Sequence, residues 1–456
     1  MRHLGALPQP LRLSARLTLA ARPTFLYDLG VPNNRVRCGC GRRWPVLSSP
    51  RDAEITIVGG GAIGAAVAYF LARDGRRDIQ LLERRGLCEA TSSQAAGFVG
   101  QARPTVERAR LTMAATDIYR TFERDTGYTM DYKECGAVRL ALSETSVREL
   151  QQIADTAAVT GLPVEFLSPA QLHDIYPVLE RTDSVKAALW SPTDGYLQPN
   201  SLVSAYVRAA RDLGVTVATH TAVTAIEVAN GAVRSVSTEG GSYRTEQVII
   251  AAGPWSSALV RLAGLELPIV PVLHEYFVTE PVPGWHGDLP CLRIPEVQIY
   301  ARGESNRVLC GGFENHGTSV DPREVSVASR LPARPDWDVL GGFAGSLGEF
   351  APALAGAGIA ATFQGWPAFS PDGRFIVGPV SAVRGLVLAA GCNAHGVSGS
   401  AGLALHLVES LSGEPSPYVR SLSPDRFVPR TWSFEDARRE AQAVYETYYP
   451  MPAITQ

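Results

Sequence analysis

The chain has 456 residues, 45% of them apolar and 19% charged, with a net charge of −3. That is enough length for two or three domain-sized units around a large core. The near-neutral balance argues against nucleic acid or an anionic membrane surface as partner. No run approaches 18 apolar residues, so no membrane span is expected.

The first 50 residues carry eight arginines and one acid, Asp28, whereas the rest hold 34 basic and 44 acidic residues. The stretch "LRLSARLTLAARPTF" has the acid-free, Arg-and-Leu pattern of a mitochondrial presequence. It equally fits a spurious leader from a misplaced start codon, because two lysines against forty arginines suggest a GC-rich genome. Residues 1–50 are therefore set aside as a leader. The location expected is cytoplasmic, with the mitochondrial matrix as the alternative. Seven scattered cysteines show neither a disulfide framework nor metal-ligand spacing, so a reducing compartment and no metal site are expected.

The first element is "AEITIVGGGAIGAAVAYFLARDGRRDIQLLERR". Ile55 to Val58 reads as a buried parallel strand and Gly59, Gly61 and Gly64 form GxGxxG. A helix follows through Leu71, and a second strand, Ile79 to Leu82, stops at Glu83. This strand–glycine loop–helix–strand–acid order is the context of a dinucleotide fingerprint. Backbone at Gly59, Gly61, Ala62, Ile63 and Gly64 would approach a pyrophosphate at the helix start, and Glu83 would accept from a ribose, with Arg84 beside it. Next comes "CEATSSQAAGFVGQ", a run of small residues around Gln94.

Residues 103–126 read as a helix, 135–144 as an antiparallel strand and 146–161 as a helix. Residues 185–217 read as strand, loop, helix, strand. From 221, with Ala222 and Val223 at its start, a β-meander turns at Asn230-Gly231 and ends in the apolar run Val248 to Ala251. More alternating strands occupy 270–315, with a helix at 335–349. "GLVLAAGCNAHGVSGSAGLALHLVESL" then reads as a strand, a glycine-rich loop and a helix. The fold class expected is α/β, with a Rossmann-like nucleotide domain assembled from 51–130, 196–262 and 361–412. An antiparallel substrate domain from 131–195 and 263–360 is inserted between its pieces. Residues 413–456, with clustered tyrosines, are expected as a tail packed on the outside.

FAD is favoured over NAD by two further stretches. "VIIAAGPWSSAL" (Ala252, Gly253 and Trp255 among its contacts) resembles the second nucleotide-contacting strand of two-domain flavoproteins. In the loop at 391–398, backbone at Gly391, Asn393, Gly396, Val397 and Ser398 would point at the edge of a flavin where negative charge collects.

Together these motifs resemble the D-amino-acid-oxidase superfamily, and within it the FAD module of the dimethylglycine and sarcosine dehydrogenases. The likeness rests on "VGGGAIGAAVAYFLARDG…LLER", "ATSSQAAGF", "ECGAVRLA", "PTDGYLQPNSL", "VIIAAGPW", "HEYFVTEPV" and "GWPAFSPDGRFIVGP". It implies that Thr91, Ser92, Ser93, Gln94, Ala96 and Gly97 pass beside the flavin. Many relatives carry a flavin-linked histidine immediately before Ala-Ala-Gly; Gln94 stands there in this chain, so FAD is expected to be held non-covalently. Those dehydrogenases continue into a folate-binding module near where this sequence ends, so a released one-carbon unit is expected to escape as formaldehyde or pass to a partner.

The activity implied is hydride transfer from a secondary or tertiary amino acid such as sarcosine or dimethylglycine to FAD, giving an imine that hydrolyses. Oxygen, another flavoprotein or a quinone would be the electron acceptor. In "VLHEYFVTEP", period two places His274 and Tyr276 on one face, as amine-deprotonating and orienting groups. His395 is a third catalytic candidate. Arg302 and Arg374, with Tyr300, are the candidates for the substrate, the arginines for its carboxylate. No lysine follows Lys186, which weighs against fast oxygen activation and favours a dehydrogenase. The alternatives from other classes are an FAD-binding assembly factor and one subunit of a heteromeric dehydrogenase.

Overall fold

The structure, a computed structural model, describes residues 49–428 and 430–448. The expected leader lies outside the described residues apart from its last two positions.

All four side chains of the strand Ile55–Val58 are buried, as a strand covered on both faces requires. It pairs in parallel with Ile79–Leu82 on one side and Gln247–Ile250 on the other. The complete sheet runs in the order Ile376–Pro379, Leu386–Ala390, Gln247–Ile250, Ile55–Val58, Ile79–Leu82, Thr216–Ala218. Only its first pair is antiparallel. The helices Ala62–Arg73, Pro199–Asp212 and Ser400–Ser410 share one hydrophobic core against this sheet. Ala62–Arg73 is buried at all positions but the last, and its alanines let Pro199–Asp212 and Ser400–Ser410 approach closely. Phe70 and Leu71 supply the bulk on that helix, each worth roughly 1.5–3 kcal/mol on burial.

The opposite face is covered by the meander Val223–Ala229, Ala232–Thr238 and Gly241–Arg244, whose inward side chains meet Val58, Leu82 and Ile250. Its first turn carries positive φ at both Asn230 (53°) and Gly231 (67°), the twist that two-residue hairpins need.

The second sheet has eight strands in the order Ile359–Gly365, His274–Thr279, Arg307–Gly312, Ile299–Glu304, Cys291–Ile294, Ala137–Ala141, Ala187–Ser191, Glu165–Leu167. The sequence pattern suggested an antiparallel sheet, yet Cys291–Ile294 and Ala137–Ala141 pair in parallel. Those two strands come from segments 150 residues apart, so no hairpin dictates their relative direction.

Alternation along these strands separates two faces. Phe277, Ile299, Ala301 and Cys310 face the helix Trp337–Gly348 through Leu340, Phe343 and Leu347. Tyr276, Tyr300 and Leu309 point the other way, into a cluster with Phe313 and Phe369. That second face meets the small-residue segment of the first domain.

The described C-terminal residues, up to Tyr448, do more than coat the outside. Helix Phe434–Glu446 buries Ala441 and Tyr445 in the same cluster. The reason is amphipathic spacing: Phe434, Ala437, Ala441 and Tyr445 form one buried stripe.

Candidate active site

A single long cleft runs from the glycine loop to the inner face of the second sheet. At its first end Gly59 sits at φ 118°, and a Cβ there would lie 2.5 Å from the Ala251 carbonyl oxygen. A Cβ on Gly64 would come within 1.9 Å of the Gly59 carbonyl oxygen, so this glycine packs helix against loop and does not itself face the cleft. Gly59, Gly61, Ala62 and Ile63 do line it. Gly61, the N-cap, has no side chain to cap the helix; instead the Ala62 N–H donates to Ser92 Oγ at 3.0 Å. An anion reaching this point meets amides and the positive end of the helix dipole.

Glu83 closes the adjacent strand. Its carboxylate accepts from the N–H of Gly60 (2.7 Å) and of Arg85 (2.8 Å), which fixes its position while leaving lone pairs for a ribose. Arg84 stacks on Trp255 at 3.8 Å and donates to the Val327 carbonyl, and Trp255 Nε1 donates to Ser329 at 3.0 Å. With Thr221, Ala222, Val223, Ala252 and Gly253 these form a slot for a flat base. The cleft therefore fits a dinucleotide on its own geometry: amides without side chains for phosphates, a fixed carboxylate for a ribose, and an aromatic slot.

The middle of the cleft is walled by Thr91, Ser92, Gln94, Ala95, Ala96 and Gly97 on one side and by Ala394, Gly396, Val397 and Ser398 on the other. Ser93 turns away and donates to the Ala90 carbonyl at 2.8 Å. Gln94 faces the cleft while its Nε2 donates to Ser93 Oγ at 3.0 Å. Gly391 and Asn393 are absent from the wall. Asn393, at φ 45°, instead ties the loop down: its Oδ1 accepts from the Ser370 N–H and its Nδ2 donates to the Gly391 carbonyl.

At the far end stand His274, Tyr300, Phe313, Tyr448, Arg103 and Arg293. His274 Nε2 lies 2.8 Å from the Tyr300 hydroxyl and Nδ1 3.3 Å from that of Tyr445. Burial pushes its imidazole down to about 4, so it is neutral at physiological pH.

Several residues singled out from the sequence sit elsewhere. Tyr276 stacks on Phe363 at 4.8 Å and its hydroxyl reaches the Ala95 carbonyl at 3.4 Å. Arg302 is buried, donates from Nε to the Ala96 carbonyl at 3.0 Å, pairs with Glu304 at 2.6 Å and covers the Tyr196 ring. Both side chains thus hold the small-residue segment from behind, and neither lines the cleft. Arg374 donates to Ser421, and with His395 and Asn393 it lines a smaller neighbouring cleft that shares Arg103. His395 Nδ1 donates to the Asn393 carbonyl at 2.7 Å, which leaves Nε2 to accept from the Tyr448 hydroxyl at 3.1 Å. It does not itself line the main cleft, but its partner Tyr448 does.

Besides Arg84 in the base slot, the arginines that face the cleft are Arg103 and Arg293, both at its inner end. Arg103 is only 8% exposed, and its Nε has no hydrogen-bond partner among the described residues. Both share the buried Asp194, whose carboxyl burial pushes up to about 6 against the pull of the two guanidinium groups. Neither arginine carried a distinguishing signal among forty, although Arg103 follows Gln94 by nine residues in the same segment. Tyr448 belonged to the tyrosine cluster assigned to the outside, and Phe313 had no motif to mark it.

Comparison with known proteins agrees with this architecture. The model of the FAD dependent oxidoreductase family matches residues 54–410. A 4-methylaminobutanoate oxidase (formaldehyde-forming) of Paenarthrobacter nicotinovorans is 30% identical over 379 residues, 83% of this chain and 46% of that protein. Mitochondrial dimethylglycine dehydrogenase of Rattus norvegicus is 29% identical over 386 residues, covering 82% and 45%. The chain thus spans less than half the length of these two relatives. L-proline dehydrogenase from P. horikoshii shares the fold, with a TM-score of 0.75 at 22% identity over 83% of this chain and 98% of that one. The chain belongs to the FAD dependent oxidoreductase family, and FAD is the dinucleotide its cleft is shaped to hold.

Proposed function

We propose that the chain oxidises a secondary or tertiary N-methyl amino acid of the sarcosine or dimethylglycine kind. The observation that carries this reading is the composition of the inner end of the cleft: a neutral, hydrogen-bonded His274–Tyr300 pair beside two arginines. FAD, when bound, supplies the acceptor for the hydride of the amine's α C–H bond. Gly59, Gly61, Ala62, Glu83 and the 91–97 segment would hold it, without a covalent bond because Gln94 offers no nucleophile.

Everything else falls to the chain's own side chains. Arg103 and Arg293 bring guanidinium groups to the inner end of the cleft, which suits a substrate carboxylate. His274 and Tyr300 take the proton of the incoming ammonium, since only the neutral amine can release a hydride. The rings of Phe313, Tyr448 and Tyr300 exclude water and face the N-methyl group. The amine then leaves as an imine, which water hydrolyses.

Among the described residues no helix is long and apolar enough to cross a membrane. Electrons would pass on to oxygen, another flavoprotein or a quinone; no lysine faces the cleft to activate oxygen, so a dehydrogenase is the reading taken. The same reading leaves room for a second subunit, and for work in the cytoplasm or the mitochondrial matrix.

The test is anaerobic addition of sarcosine, dimethylglycine and 4-methylaminobutanoate to the purified yellow protein. Bleaching of the long-wavelength flavin band by one of them supports the reading. A yellow protein that no amine reduces would favour an assembly factor or a subunit awaiting its partner. Flavin that stays with the acid precipitate would overturn non-covalent binding.

A further inference from the structure

We propose that the C-terminal helix completes a proton outlet from the substrate cavity: Tyr300, His274, Tyr445 and Glu314 form one hydrogen-bonded file that carries the amine's proton to the surface. The inference rests on the amine reading above and extends it to residues that never touch substrate.

The direction of the file follows from donor counting. Tyr445 has one hydroxyl proton, which is donated in a close contact to Glu314 Oε2. Its oxygen can therefore only accept from His274, whose Nδ1 lies 3.3 Å away, so Nδ1 carries the hydrogen. A neutral imidazole protonated at Nδ1 is bare at Nε2, and the Tyr300 hydroxyl, 2.8 Å off, must donate to it. All the donors point the same way, from the cavity wall towards Glu314. Glu314 is half-buried, and the next two residues, Asn315 and His316, are exposed.

The transfer balances without any change of oxidation state. The ammonium N–H bond breaks and its proton goes to the Tyr300 oxygen. Tyr300 passes its own proton to His274 Nε2, His274 passes the Nδ1 proton to the Tyr445 oxygen, and Tyr445 passes its proton to the Glu314 carboxylate. Glu314 then releases one proton to water. Burial raises the Glu314 carboxyl, and the neighbouring Asp336 and Glu446 add to that. Glu275, pushed up to about 7 by burial, faces the same group. A carboxylate with a raised pKa is a better terminal acceptor, and the file closes when acid fills it.

The file also gives Tyr445 a reason for its place. Its ring is wholly buried and packs on Phe313 at 5.2 Å and Phe369 at 5.7 Å, yet its hydroxyl faces two titratable groups. Packing alone would be served by phenylalanine.

The first experiment is 15N-edited NMR of His274 in the full chain. Hydrogen on Nδ1 with a bare Nε2 is expected, and the opposite tautomer would overturn the file whatever the substrate proves to be. The second is stopped-flow flavin reduction against pH for wild type, Tyr445→Phe and Glu314→Gln. Each variant should keep its FAD and thermal midpoint but reduce about tenfold more slowly, with the acid limb of the profile displaced. Glu314→Asp should recover part of the rate. Wild-type rates and an unmoved profile in both variants would refute the outlet. If no N-methyl amino acid reduces the wild-type protein, the substrate reading fails while the tautomer still decides the file.

Discussion

The phosphate and ribose part of the dinucleotide end is built from one continuous stretch of chain, Ile55 to Glu83, with the 221–223 and 252–255 segments adding the base slot. It presents mainly backbone: the amides after Gly59 and one carboxylate held by two N–H groups. The inner end draws on separate segments, with Arg103, His274, Arg293, Tyr300, Phe313 and Tyr448 meeting from three regions of the sequence. A backbone site depends on what is missing, namely side chains at the glycines, and tolerates change around it. A side-chain site depends on the supporting shell that orients each ring and charge, so distant substitutions reach it.

That contrast can be broken most severely at Gly64. A methyl group there collides with the Gly59 carbonyl, so Gly64→Ala should yield colourless protein destabilised by about 1–3 kcal/mol or more. Flavin absorbance and thermal melting check both points.

Arg103→Met tests the inner end. Loss of a charge-assisted contact worth about 1.5–3 kcal/mol should raise KM for a carboxylate substrate roughly 10- to 100-fold with FAD content unchanged. The fold should lose some stability as well, because the buried Asp194 is left with one of its two guanidinium neighbours.

Gly311→Ala sharpens the claim that the inner site depends on its support. The added Cβ would lie 2.5 Å from both the Tyr300 hydroxyl and Tyr276 Cβ. Tyr300 must then tilt away from His274, and the amine-oxidation rate should fall by about tenfold although Gly311 does not itself line the cleft. An unchanged rate would mean that Tyr300 is dispensable.

The smallest effect concerns acid. The folded-state value of His274, about 4, lies below the ordinary 6.5, so the unfolded chain binds a proton that the folded one refuses. This residue's contribution to stability is complete above pH 6.5 and is lost as pH falls towards 4. His274→Gln should flatten that part of the melting profile. Asp194, raised to about 6, acts with the opposite sign over a similar window and is best held constant in the comparison.

Local pattern was sufficient to read the nucleotide half. Gly59, Glu83 and the small segment around Gln94 are neighbours in sequence because a strand, a tight turn and a helix must follow one another to make the site. The alternation of His274 and Tyr276 likewise showed which face of the strand looks inward. It did not show that Tyr300, on a strand two places away in the sheet, would complete the pair with His274 while Tyr276 turned to Ala95. Strand order is a tertiary decision, made by which apolar faces find each other.

The same division holds for charge. By itself the sequence determined a dinucleotide fold, its cofactor class and the absence of a histidine at position 94, since each follows from residues in contact along the chain. Only the tertiary structure decided which two of forty arginines reach the inner end of the cleft, and that a segment expected as an outer tail sets Tyr445 behind His274 and brings Tyr448 to the wall. Such choices depend on long-range packing, where the burial of a few rings outweighs any local preference.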